Sequence, residues 1–83
     1  MAEYKIYFKR FAVKDLDTIS KKDLQRTINR IDFFKKDPRP PGCEKLCGQE
    51  RYRVRQGNYR IVYSIQDNQF IIQVVKVRHR SDA

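Results

Sequence analysis

The chain has 83 residues, about 40% of them apolar and ten of them aromatic, enough for one modest core and too few for two. That apolar content rules out a disordered tail, and no apolar run approaches the roughly 18 residues that span a bilayer. The charge is one-signed, 19 bases against 10 acids for a net of +9, which suggests a polyanionic partner: nucleic acid, an anionic membrane or an acidic protein.

The opening stretch, MAEYKIYFKRF, alternates charged and apolar side chains, so it does not read as a signal peptide, and a cytoplasmic protein is expected. Tyr4, Ile6 and Phe8 point one way and Lys5, Tyr7 and Lys9 the other, a strand pattern running from Tyr4 to Phe11. From Ala12 to Ile19 the period changes, with Ala12, Leu16 and Ile19 on one helical face. Ser20 followed by Asp23 forms a capping-box pattern. It opens a second helix striped by Leu24, Ile28, Ile31 and Phe34. Lys35 and Lys36 suit the end of that helix, and Asp37-Pro38 stops it.

Residues 39–49 read as a loop punctuated by Pro40, Pro41, Gly42 and Gly48. Its Cys43 and Cys47, spaced C-x3-C, are too few for a zinc site, which takes four ligands. Two reduced thiols and no metal are expected. The rest is strand-like, with Gly57-Asn58 and Asp67-Asn68 as two-residue hairpin turns. The order β-α-α-β-β-β predicts an α+β fold over 1–83, a two-helix hairpin on one face of a largely antiparallel four-stranded sheet.

Charge is distributed unevenly along this order. Residues 1–50 mix 12 bases with 8 acids, whereas residues 51–83 hold 7 bases against only Asp67 and Asp82. With Gly57 and Asn58 as the loop of the RYRVRQGNYRIVY hairpin, Arg55 pairs with Arg60, Val54 with Ile61 and Arg53 with Val62. One face then carries Tyr52, Val54, Tyr59, Ile61, Tyr63 and Ile65 as core; the other carries Arg51, Arg53, Arg55 and Arg60.

A two-residue turn at Asp67-Asn68 adds Phe70, Ile72 and Val74 to the core face, and puts Val75 beside Arg60 and Val77 on the basic face. Arg78, His79 and Arg80 emerge at the end where Arg55 and Arg60 sit, with His79 on the basic face. No acid is expected among these residues. A solvated strand face is the plain alternative, but directly opposed arginines cost stability. Forked guanidinium donors fit a phosphate. No P-loop, Ser/His/Asp or Cys/His constellation can be assembled, and the eight carboxylates before residue 51 show no paired catalytic spacing.

The segments KLCGQERYRVRQGNYRIVY and VVKVRHRSDA, with the element order and the Pro/Gly loop, resemble the RelE family of bacterial and archaeal toxins, within the RelE/ParE superfamily. The resemblance implies a ribosome-dependent mRNA endoribonuclease that cuts A-site codons and arrests translation. A cognate antitoxin would neutralise it, and operator DNA would be met only through that antitoxin. It implies cleavage by Arg53, Arg55, Arg60 and Arg80, through attack of a ribose 2′-hydroxyl on the adjacent phosphodiester, with no cofactor. Arg51, Lys76 and Arg78 would contact RNA, including the 16S rRNA.

The sequence departs from the family pattern twice. Some relatives have a lysine general base where Arg55 stands; arginine, with a pKa above about 12, is a poor base. His79 is then a candidate acid or base, since imidazole ordinarily titrates near neutral pH. Relatives also carry a tyrosine shortly after the arginine-rich end. None precedes Ala83 here, so a trimmed terminus or a weaker activity is expected. A ParE-like inhibitor of DNA gyrase, or a degenerate toxin acting only through its antitoxin, are the alternatives.

Overall fold

A computed structural model describes residues 3–46 and 51–82. The elements run β1 (Lys5–Phe8), α1 (Arg10–Asp17), α2 (Lys21–Phe33), β2 (Glu44–Lys45), β3 (Arg51–Gln56), β4 (Tyr59–Gln66), β5 (Ile71–His79) and a closing 3-10 turn (Arg80–Asp82). The strands form one sheet in the order β1-β5-β4-β3-β2, with β1 parallel to β5 and the other pairs antiparallel. The expected α+β class holds. The sheet has five strands rather than four, because two loop residues pair with β3 as β2.

Local chemistry accounts for most of the boundaries. The first strand is shorter than its alternation suggested: the helix begins at Arg10, which carries Phe11 out to solvent at 67% exposure. The capping box of α2 does not close, because the Ser20 hydroxyl donates to the Asp23 carboxylate at 3.2 Å rather than capping a backbone amide. The stripe of α2 buries Thr27 and Ile31, and Phe34 follows them inward. There the Phe34 ring stacks on Tyr63 at 4.3 Å, and the Tyr63 hydroxyl donates to the Pro38 carbonyl at 2.7 Å. Burial pushes the Tyr63 phenol well above its ordinary pKa, so it remains a donor.

The β3–β4 hairpin has the expected register: Gln56 opposite Tyr59, Arg55 opposite Arg60, Val54 opposite Ile61 and Arg53 opposite Val62. Gly57 takes φ +60° at the first turn position, a conformation that costs a glycine little.

The β4–β5 connection differs from expectation. Gln66 pairs with Ile71, so Asp67 to Phe70 form a four-residue loop, with Phe70 at φ +54° and its ring against Tyr4 at 5.4 Å. Phe70 is consequently exposed rather than in the core. Farther along, Tyr63 pairs with Val74 but Val62 with Lys76, leaving Val75 as a bulged extra residue. The bulge reverses the parity of everything after it. Val77, expected on the basic face, is buried in the core; Arg60 meets Arg78 rather than Val75.

A second arginine lies away from the hairpin. Arg39 donates from two nitrogens to Asp67 at 2.8 and 3.2 Å and from Nε to the Tyr52 hydroxyl at 3.3 Å. Tyr4 donates to the same Asp67 carboxylate at 2.7 Å. This network ties the chain before β1, the segment after α2 and the β4–β5 loop together. Asp67, read from sequence only as a turn residue, is its centre. No helix among the described residues is long and apolar enough to cross a membrane. Cys43 is a half-buried free thiol, and Cys47 lies outside the described residues.

Candidate functional site

The alternation of β3 sends Val54 into the core and Arg53 and Arg55 to the opposite face, while β4 sends Ile61 inward and Arg60 outward. Rigid pairing at the hairpin thus holds three guanidinium groups side by side. Arg53, Arg55 and Arg60, with Gly42 and Glu44, line a cleft of about 330 Å³. A smaller recess of about 90 Å³ adjoins it, lined by Arg55, Gly57, Asn58, Tyr59, Arg60 and Arg80. Arg80 comes from the end of the chain and is fastened there by its own amide, which donates to the Asn58 carbonyl at 2.7 Å. Residues from 53 to 80 therefore meet at the hairpin tip.

The expected absence of acid does not hold. Glu44, on β2, stands opposite Arg53 in the sheet and accepts from Arg53 Nη2 at 2.7 Å. Its carboxyl is held below the ordinary value, first by the Arg53 hydrogen bond and charge and then by the charges of Arg55 and Arg60. Sequence reading missed it because it lies in a Pro/Gly segment and β2 is only two residues long. The available signal was weak: an acid upstream of an arginine-rich strand, placed to cross-pair with it.

The other candidates are dispersed. Arg51 is half-buried, opposite Ser64, at the end of the hairpin away from the turn. Lys76 stands opposite Val62 and shares the basic face through the bulge. Arg78 is in register with Arg60, but its Nε lies 3.7 Å from the Asp15 carboxylate of α1. That same carboxylate accepts the Val77 amide at 3.0 Å.

His79 departs furthest from expectation. The bulge gives it the parity of Tyr59, which packs against the core, so it lies on the helix-covered face and not on the basic one. Its ring meets Tyr59 edge-on at 5.2 Å, and its Nδ1 is 2.7 Å from Ser81 Oγ and accepts the Ser81 amide at 3.2 Å. It lines a separate opening of about 470 Å³ with Asp15, Thr18 and Arg78.

Chemically, the cleft offers forked donors in excess of acceptors, an arrangement suited to a phosphodiester. Among the described residues, no group of three or more His, Cys, Asp or Glu side chains is gathered to hold a metal ion.

Known proteins share the fold. Residues 6–83 match the family model described as the ParE toxin of type II toxin–antitoxin system, parDE. A chain of the archaeal RelE–RelB complex from Pyrococcus horikoshii OT3 is 28% identical and superposes with a TM-score of 0.85, over 98% of this chain and 99% of that one. The RelB–RelE antitoxin–toxin complex from Methanococcus jannaschii gives 25% identity and a TM-score of 0.73, over 92% of each chain. The intact Escherichia coli RelBE complex, at 22% identity and TM-score 0.79 over 92% of this chain and 95% of that one, shares the fold. No curated protein sequence matches significantly.

Proposed function

This chain belongs to the ParE toxin family of type II toxin–antitoxin systems, within the RelE/ParE superfamily, and from that premise we propose that it is a ribosome-dependent mRNA endoribonuclease. The observation that carries the reading is the convergence of Arg53, Arg55 and Arg60 on one cleft, with Arg80 fastened beside it. A 2′-hydroxyl attack gathers negative charge on a pentacoordinate phosphorane. Fixed guanidinium groups stabilise that charge more than they stabilise the ground-state diester. The arginines supply the positive charge themselves, so the reading calls for no metal.

In this reading residues 1–83 act as a single toxin domain in the cytoplasm. Its substrate is mRNA held on the ribosome, which presents the codon to the hairpin tip. Arg51, Lys76 and Arg78 border the basic face as RNA contacts. A cognate antitoxin is the second partner, supported by the RelE–RelB and RelB–RelE complexes among the similar structures. The net charge of +9 fits an acidic segment of such a partner.

A second reading has one observation in its favour: the matching family model is named for ParE. On that reading the protein inhibits DNA gyrase and cuts nothing. The arginine cleft favours the nuclease, because a protein that only occludes a partner has little use for converging phosphate ligands. Purified protein is added to ribosomes programmed with mRNA, and the ends are mapped. Cuts at A-site codons ending in cyclic phosphate, with free RNA nearly untouched, are expected. Intact mRNA together with blocked supercoiling by gyrase would replace the nuclease reading with the second one.

A further inference from the structure

On the face of the sheet that the helices leave open, strand register sets four side chains in one row. Tyr7 of β1 stands beside Gln73 of β5, Gln73 opposite Ser64 of β4, and Ser64 opposite Arg51 of β3. The chain neighbours of Gln73 and Ser64, namely Ile72, Val74, Tyr63 and Ile65, are buried on the other side. Tyr7 is 51% exposed, and its ring packs on no other aromatic among the described residues. The side chains of Tyr7, Gln73 and Ser64 hydrogen-bond none of the described residues.

This row is continuous with the arginine cleft. Along β3, Arg51, Arg53 and Arg55 occupy successive positions on the open face, about 7 Å apart, and lead from the row to the cleft as a line of cations. Along β4, Ser64 lies about 13 Å from Arg60, with the buried Val62 between them. A line of positive charge beside an exposed ring is the arrangement that holds single-stranded nucleic acid: the backbone follows the cations while a base stacks. A strand with its phosphate in the cleft has this face as its path away from the hairpin tip.

We propose that the row is a subsite for an unpaired base of the mRNA, one that flanks the cut. The inference rests on the nuclease reading and deepens it. Tyr7 stacks on the base. The Gln73 amide meets the base edge with a donor and an acceptor side by side, the pattern that matches adenine. Ser64 adds a hydroxyl to the same edge, and Arg51 closes the row toward the backbone. Held at two places, the strand has its direction across the sheet fixed. The subsite acts on binding and on choice of sequence.

The test is single-turnover cleavage on programmed ribosomes over a range of protein concentrations. The mRNAs carry an abasic sugar at each position flanking the cut in turn. At one position, loss of the base is expected to raise the half-saturating concentration of the parent about tenfold, with the maximal rate within about threefold. Tyr7→Ala gives the same rise on intact mRNA and no further rise on that abasic mRNA, as coupled partners do. Tyr7→Phe, which keeps the ring, stays near parental. Adenine is the best of the four bases there for the parent, and Gln73→Ala removes its advantage. A Tyr7→Ala protein that matches the parent on every mRNA, or whose effect simply adds to that of the abasic sugar, overturns the subsite and leaves the nuclease reading intact. Parental cleavage by a Tyr7→Ala protein that has lost a self-association seen in the parent also overturns it, and makes the row a contact between copies. A Gln73→Ala protein that keeps the parental base preference overturns the role given to Gln73. A parent that leaves ribosomal mRNA uncut overturns the nuclease reading and the subsite together.

Discussion

Arg39 and Arg60 are both partly exposed guanidinium groups on the same small protein, yet they are met in different ways. Arg39 has a carboxylate held at two points, a tyrosine hydroxyl accepting from Nε and the Tyr52 ring 5.1 Å from its centre. Arg60 faces Arg55 across the hairpin and Arg78 across the next ladder, and Glu44, the one carboxylate among the described residues lining its cleft, accepts from Arg53. One region has an acceptor for its arginine; the other has more donors than the described residues accept from. An arginine with its own carboxylate supports the fold. Arginines held together in excess leave room for an anion that arrives from outside.

That contrast is tested most severely by Arg60→Ala. On the nuclease reading, losing one fixed donor to the phosphorane is expected to lower cleavage on programmed ribosomes by about 100-fold or more. The thermal midpoint holds or rises, since a directly opposed like-charge pair is relieved. A midpoint that collapses would mean the cleft arginines support the fold after all. Arg39→Ala gives the opposite pattern. It removes a partly screened network of about 1 kcal/mol, with an expected drop in the midpoint of about 4–8 °C in a protein of this size and, on the nuclease reading, cleavage by the folded protein at the parental rate.

Acid sharpens the comparison next. Arg39, and then Tyr4, hold the Asp67 carboxyl down at about 2, from an ordinary 3.8. Its folded-state pKa is depressed, so its stabilisation is fully present above about pH 4 and is lost as pH falls toward about 2. Thermal midpoints measured over that window drop for the parent and are flatter for Asp67→Asn. Glu44→Gln serves as the control for the other depressed carboxylate. The smallest effect is expected from Arg51→Ala, opposite Ser64 and away from the turn: stability stays within about 0.5 kcal/mol in denaturant titration, and cleavage weakens only at raised salt.

The sequence made one half of the site readable and obscured the other. In β3 and β4 the side-chain period of two and a turn led by Gly57 fix which residues face each other, so the Arg55–Arg60 opposition follows from counting. Val75 carries no local mark of its bulge; valine is as good a strand residue paired as unpaired. Counting through it placed His79 on the wrong face. The four-residue loop ending at Phe70 was hidden in a similar way, because Asp67-Asn68 is an acceptable hairpin turn and a positive φ is unusual for phenylalanine. Glu44 was missed for a different reason. A two-residue strand has no period to detect, and its pairing is decided by β3 rather than by its own residues.

The parallel pairing of β1 with β5 has a consequence for how the protein comes into being. Lys5 to Phe8 find their partners at Ile71 to Val74, so the first strand made must wait for the fifth before its ladder can close. The next turn of chain beyond β5 delivers Arg80 to the hairpin tip. During synthesis, then, sheet closure and completion of the arginine cluster are nearly the same event. Until β5 and Arg80 have been made, a nascent chain holds an open sheet and an incomplete arginine cluster together.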